Sequence, residues 1–136
     1  MAEGRRLAGY GRVTTVSDIP IALDVLDPDV VLLPLPDVAQ RLGLPVTRVH
    51  QMLRDGQLLG VRRHGVAAVP AEFLNGGAIV KGLSGTITLL RDAGYSAEEI
   101  LRWLFTAESS LPGTPIGALR TDRGREVKRR AQAMGF

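Results

Sequence analysis

The pattern of hydrophobic and polar residues becomes regular at residue 35, where it predicts two short helices. Four apolar residues recur at the spacing of one helical face: Leu35, Val38, Ala39 and Leu42. Gly43 then ends the first helix, because glycine tolerates the left-handed backbone of a tight turn. A second helix is predicted from Leu44 to about Asp55, closed by Gly56. A helix, a glycine-containing turn and a second helix within some twenty residues are the arrangement of a helix-turn-helix.

A β-hairpin is predicted directly after these two helices. Two β-prone runs, at 58–63 and 66–69, flank the dipeptide His64-Gly65, and a glycine-containing turn between such runs is typical of a hairpin. Pro70 begins a short helical turn. Together these elements predict a winged helix-turn-helix.

The C-terminal half is predicted to consist of helices. They are expected at 84–93, at 116–120 and at 123–134. Ser96 and Glu99 have the spacing of a capping box, which opens one more helix. The fold class is therefore mainly α with a small β-hairpin, a winged helix-turn-helix plus C-terminal helices.

The first 29 residues show no sustained helical or strand period. We expect Val30–Leu33 to form a short strand or an extended segment that docks on the core. The chain is thus divided into three parts: a flexible N-terminal arm over 1–29, the winged helix-turn-helix over 30–77, and a helical C-terminal region over 78–136 that packs on it.

The second helix has an apolar face and a polar face, as a helix that reads DNA requires. Its apolar side carries Val46, Val49, Met52 and Leu53. The opposite side carries the predicted base-reading set, Thr47, Arg48, Gln51 and Arg54. Arginine suits a guanine edge, glutamine an adenine edge, and threonine a phosphate or a thymine methyl group. An ordinary solvated helix face would show the same division, and the paired helix and the hairpin favour DNA recognition over it.

The hairpin tip adds a second group of candidate DNA contacts. Arg62, Arg63 and His64 lie where a wing meets the DNA backbone or the minor groove. Arg41, Arg125, Lys128 and Arg129 are candidates for additional phosphate contacts. For the three on the last helix, an ordinary solvated terminal helix explains the same charges equally well.

Several stretches of the sequence resemble known DNA-binding proteins. Those in the first half, Leu35–Val46, Arg62-Arg63 and Val69–Leu74, resemble the excisionase/MerR-like winged helix-turn-helix group. With Arg102–Phe105, Pro115–Leu119 and Arg125–Ala133 they resemble an actinobacterial family of small DNA-binding proteins, over about residues 30–136. The resemblance implies DNA binding through the base-reading set and the wing, and it implies no enzymatic activity.

Composition removes several other classes of protein. The chain of 136 residues has no Cys and two His, which excludes a disulfide scaffold, thiol catalysis and a Cys-based or three-histidine metal site. No nucleophile–base pair or cofactor loop is evident, so we predict no enzyme, no cofactor and no metal. We find neither a membrane-spanning run nor a signal peptide, and we expect a cytoplasmic, nucleoid-associated protein without a membrane partner.

The net charge of +3 conceals strong segregation along the chain. Residues 17–37 carry a charge of −5, whereas residues 38–91 carry +5. The basic residues are fifteen Arg and two Lys, a bias that suits phosphate and guanine recognition but that a GC-rich genome also produces. The positions of the arginines, more than their number, therefore favour DNA.

We predict a DNA-binding protein that regulates transcription, with double-stranded DNA as its partner. The alternative is a protein–protein interaction module that uses a helix-turn-helix fold without binding DNA. A further hypothesis concerns Thr14 and Thr15, which lie beside Arg12. Phosphorylation there by a Ser/Thr protein kinase would add about −2 charge and weaken DNA binding.

Overall fold

The computed structural model describes residues 19–134 except 110, 112 and 122, and it contains both predicted helices of the helix-turn-helix. Helix α1 spans Leu35–Leu42 and helix α2 spans Val46–Arg54. Gly43 has φ +68°, and the backbone N–H of the residue after it donates to the Ala39 carbonyl at 3.0 Å. The left-handed glycine thus closes α1 and redirects the chain into α2.

A four-stranded sheet lies next to these helices. Strands β1 and β2 span Ala22–Leu23 and Leu32–Pro34, and β3 and β4 span Val61–Arg63 and Val66–Pro70. The strand order is β1-β3-β4-β2, with β1 parallel to β3 and the other pairs antiparallel. β3 and β4 form the predicted hairpin, and both residues of its His64-Gly65 turn have positive φ, as the backbone twist of a two-residue hairpin loop demands.

The segment from residue 19 to residue 29 belongs to the fold, and the predicted arm over 1–29 is wrong for this part. Ala22 pairs with Val61 in the sheet, and Ile19 and Leu26 are buried in the core with it. The two residues of β1 are held by pairing with a strand almost forty positions away in the sequence. Such a distant contact produces no periodic pattern of hydrophobic residues around β1 by which it could be predicted. Residues 1–18 lie outside the described residues.

The C-terminal half consists of helices, as predicted, preceded by a second small hairpin that the pattern did not predict. A 3₁₀ turn spans Ala71–Phe73 and strands β5 and β6 span Leu74–Asn75 and Ala78–Ile79; the helices are α3 at Leu83–Asp92, α4 at Ala97–Leu104, α5 at Pro115–Leu119 and α6 at Gly124–Met134. The capping box is present: Glu99 N–H donates to Ser96 Oγ at 3.1 Å and Ser96 N–H donates to Glu99 Oε1 at 2.8 Å.

One continuous apolar core joins the two halves of the chain. Its buried side chains come from every helix and from four of the six strands, and they extend from Ile19 to Ala131. Phe73 is fully buried and its ring lies 5.8 Å from that of Phe105, centroid to centroid. Arg120 donates to the Glu72 carbonyl at 2.8 Å, which ties α5 to the 3₁₀ turn. The helix-turn-helix is therefore supported by the C-terminal helices.

A second set of polar contacts holds the residue 22–30 segment against the sheet. Arg63 Nε donates to Asp24 Oδ2 at 2.6 Å, and its Nη2 donates to Oδ1 of the same carboxylate at 3.1 Å. Its Nη1 also donates to the Val30 carbonyl at 2.9 Å. On the other side of the segment, Leu23 N–H donates to Glu98 Oε2 at 2.9 Å. These contacts lower the pKa of both carboxyl groups, because a hydrogen bond from Arg63 stabilises ionised Asp24 and one from Leu23 stabilises ionised Glu98.

The Asp24–Arg63 contact predicts a specific dependence of stability on pH. A carboxyl group whose pKa is lower in the folded than in the unfolded state stabilises the fold above about pH 4, and this contribution is lost as the pH falls through the folded-state pKa. Asp24→Asn should therefore lower Tm by a few degrees at pH 7, and the difference from the wild type should shrink progressively as the pH falls below about 4, measured by circular dichroism.

Asp92→Asn is the matched control for this measurement, because Asp92 is exposed at the end of α3 and its side chain forms no hydrogen bond or ion pair with the described residues. Its Tm should follow that of the wild type over the whole pH range. A Tm difference for Asp24→Asn that stayed constant from pH 7 to pH 3 would contradict the proposed ion pair.

Candidate nucleic-acid interface

Helix α2 presents the predicted base-reading set to solvent on one face. All four residues of this set are exposed: Thr47, Arg48, Gln51 and Arg54. Val49 and Leu53 lie on the opposite side, at 0% and 2% exposure. The predicted division of the helix into a buried and an exposed side is thus present, because the spacing of the apolar residues matches the helical repeat.

Two members of the base-reading set are joined by hydrogen bonds at the C-terminal end of α2. Gln51 Nε2 donates to Asp55 Oδ1 at 2.8 Å, and Arg54 Nη1 donates to Gln51 Oε1 at 3.4 Å. The side chains of Thr47 and Arg48 form no hydrogen bond or ion pair with the residues that the structure describes. The face is therefore partly organised at one end and free to contact a ligand at the other.

The wing exposes one of its two arginines and turns the other inward. Arg62 is exposed, and its Nη1 donates to the Gly65 carbonyl across the hairpin tip at 3.3 Å. His64 is exposed at the tip itself, with φ +52°. Arg62 and His64 are therefore accessible to a nucleic acid, in the positions where the sequence placed them.

Arg63 does not occupy the accessible position that the sequence predicted for it. Its side chain is 17% exposed and is engaged by Asp24, 21% exposed, and by backbone carbonyls. Successive side chains of a strand point to opposite faces, so Arg62 and Arg63 face opposite sides of the hairpin. This alternation was the signal in the sequence that the two arginines play different roles.

The remaining predicted phosphate contacts are exposed cations on two helices. Arg41 lies in the last turn of α1, where a positive charge complements the helix dipole. Arg125, Lys128 and Arg129 are exposed on α6, whose apolar stripe is buried through Val127 and Ala131. Thr14 and Thr15, the predicted phosphorylation sites, lie outside the described residues.

Sequence reasoning missed one cation that the fold places beside this group. Lys81 precedes α3 and lines a surface pocket together with Arg125 and Lys128. Lys81 is an isolated cation in the sequence between the second hairpin and α3. Only the packing of α3 against α6 shows that it lies near Arg125 and Lys128.

Neither a metal site nor a membrane-spanning helix is found in the described part of the chain. No three or more His, Asp or Glu side chains among residues 19–134, with their gaps, are grouped so that they could hold a metal ion. No helix there combines the length and the apolar character needed to cross a bilayer.

Two family models match the chain in succession. The model described as "DNA-binding protein Rv2175c, wHTH domain" matches residues 18–74, and "Rv2175c C-terminal domain of unknown function" matches residues 80–135. The first match begins at residue 18, in agreement with the pairing of β1 in the sheet and not with the predicted boundary at residue 30.

A curated relative and a solved structure are similar over nearly the whole chain. The DNA-binding protein Rv2175c of Mycobacterium tuberculosis (strain ATCC 25618 / H37Rv) is 46% identical over 134 residues, which covers 89% of this chain and 92% of that protein. The NMR structure of Rv2175c superposes with a TM-score of 0.79 at 43% identity and covers 99% of this chain and 100% of that one. The fold of a winged helix-turn-helix with C-terminal helices is thereby confirmed, and the chain belongs to the Rv2175c family.

Proposed function

We propose that this protein binds double-stranded DNA and regulates transcription, with α2 in the major groove and the tip of the hairpin on the backbone or in the minor groove. The observation that carries the proposal is the exposed face of α2, which presents four hydrogen-bonding side chains while the opposite side is buried. The description of the matching family as DNA-binding supports it. A cytoplasmic, nucleoid-associated location without catalytic activity is part of the same proposal.

The dimensions and chemistry of α2 suit a major groove. Nine residues make a helix roughly 13 Å long, and the groove of B-DNA admits one helix with its side chains. Arg48 and Arg54 provide donor forks for guanine edges, and Gln51 provides the paired donor and acceptor that an adenine edge requires. On binding, Gln51 would replace its hydrogen bond to Asp55 with hydrogen bonds to the base. The free-energy cost is low, because Gln51 and Asp55 are both exposed to solvent.

The same face is poorly suited to a protein partner, which the alternative of an interaction module requires. Protein interfaces have an apolar or aromatic centre. The large hydrophobic residues that are strongly exposed in the described part of the chain are Leu23, Val31 and Val66, and none of them lies on α2. The polar composition of this face therefore favours DNA over a protein.

Replacement of the two arginines of α2 tests the proposal most simply. Arg48→Ala and Arg54→Ala should each weaken binding to a duplex selected by the protein from a random pool by about 1–3 kcal/mol, because each removes a contact to a base edge. The loss on random duplex DNA should be smaller, since backbone contacts remain. Fluorescence anisotropy with both duplexes measures the difference.

Arg102→Ala is the control, because Arg102 is also an exposed arginine and lies on α4. It should leave the preference for the selected duplex unchanged. Equal affinities of the Arg48, Arg54 and Arg102 variants for the selected duplex would overturn the assignment of α2 as the reading helix.

We also propose that phosphorylation of Thr14 or Thr15 by a Ser/Thr protein kinase weakens DNA binding. A phosphate group adds about −2 charge beside Arg12, where it would repel the DNA backbone or pair with arginine side chains. Thr14→Glu/Thr15→Glu should therefore raise Kd for duplex DNA, and Thr14→Val/Thr15→Val should not. Equal Kd values for the two variants at several salt concentrations would exclude this electrostatic effect.

A further inference from the structure

The C-terminal region contains a basic pocket with no assigned role. We use this name for the surface pocket of about 380 Å³ that Lys81, Arg125 and Lys128 line together with Gly82, Thr121 and Gly124. The three cations come from two places in the sequence, one before α3 and two on α6, and the packing of α3 against α6 brings them together. Convergence of three positive charges on one concave surface raises the local potential and favours an anion there.

The three cations of the basic pocket have no counter-charge among the residues that the structure describes. Among the residues that the structure describes, none of their side chains forms a hydrogen bond or an ion pair. Glu126, the acidic neighbour of Arg125 on α6, accepts instead from Arg123 at 3.0 Å. Cations that line one pocket without a described counter-charge make its local potential positive, which favours an anion supplied from outside.

The beginnings of two helices add to the attraction for an anion. Gly82 precedes the first turn of α3 and Gly124 begins α6, and the N-terminal end of each helix carries about half a positive charge. A side chain at Gly124 would meet no atom within 4 Å, so the backbone at the start of α6 is open to a ligand.

A groove connects the basic pocket with the end of helix α2. This groove, of about 540 Å³, is lined by Asp55 and Gln57, which follow the end of α2, and also by Lys128 and Gln132 of α6. Lys128 belongs to both the groove and the pocket. The basic pocket therefore adjoins a groove that reaches the residues at the C-terminal end of α2.

We infer that the basic pocket holds a backbone phosphate of the DNA duplex that α2 reads. The inference rests on the proposed function, and it gives the C-terminal region a part in DNA binding. Lysine supplies a compact charge and arginine a bidentate fork, and both are typical ligands of a phosphate oxygen. Phosphate contacts of this kind position a protein on the duplex without reading sequence.

Two triple variants of the full chain with equal changes in charge test the inference. The pocket variant is Lys81→Gln/Arg125→Gln/Lys128→Gln. The control variant is Arg91→Gln/Arg102→Gln/Arg130→Gln, which removes three exposed cations of α3, α4 and α6 that do not line the basic pocket. Duplex affinity is measured by fluorescence anisotropy between about 50 and 200 mM salt, and a thermal melt checks that both variants fold.

The pocket variant should lose roughly tenfold more affinity for duplex DNA than the control variant. The slope of log K against log salt should also be smaller in magnitude by about one for the pocket variant, because each neutralised phosphate contributes about 0.9 to that slope. Its preference between the selected and the random duplex should be unchanged. Equal Kd values and slopes for the two triple variants would overturn the inference. If the wild type itself showed no affinity for duplex DNA, the proposed function would fail, which is a different result.

An NMR titration of the wild type makes the test independent of any variant. The amide signals of Gly82 and Gly124 should shift on addition of duplex DNA. Shifts with inorganic phosphate alone and none with DNA would mean that the pocket serves a free phosphate-bearing ligand, and this result would also overturn the inference.

Discussion

Burial of one side of helix α2 is the constraint on which the rest of the interface depends. α1 has eight residues and α2 has nine, and helices shorter than about 12 residues are marginal in water by themselves. The direction of the exposed side chains is therefore set by Val49 and Leu53, which are anchored in a core that extends to α6. The C-terminal helices thus contribute to the position of the exposed face of α2 even where they do not touch it.

The two adjacent arginines of the hairpin show how one residue type takes two roles. Arg62 faces solvent at the hairpin tip and is accessible to a ligand. Arg63, one position later and on the other face of the strand, connects the hairpin to Asp24 and to the carbonyl of Val30. The second arginine holds the chain segment that leads into β2 and α1, so it supports the interface from behind instead of forming part of it.

Local signals were sufficient to predict the helices and the first hairpin. Gly43, the His64-Gly65 turn and the Ser96–Glu99 capping box act within a few residues, and the structure has each element close to its predicted bounds. Contacts between distant segments were not predictable. The two residues of β1 are too few for a period-2 pattern, and they are held by β3 and by Glu98 far along the chain.

In the candidate site, too, local features were predictable from the sequence and contacts between distant residues were not. The exposed face of α2 follows from the helical repeat alone, so the exposure of Thr47, Arg48, Gln51 and Arg54 was predictable. The inward position of Arg63 depends on Asp24, 39 positions away, and the basic pocket depends on the packing of α3 against α6, which brings Lys81 to Lys128. Charge along the sequence indicates which residues are available, and the tertiary fold decides which of them meet.

The most direct measurement of the central claim is an NMR map of the duplex DNA complex, made with uniformly ¹⁵N-labelled full-length protein. We expect the largest amide shift changes on α2, between Thr47 and Arg54, and on the hairpin tip from Arg62 to Gly65. Changes confined to the acidic surface around Asp27 and Asp29, or absent from α2, would contradict this claim.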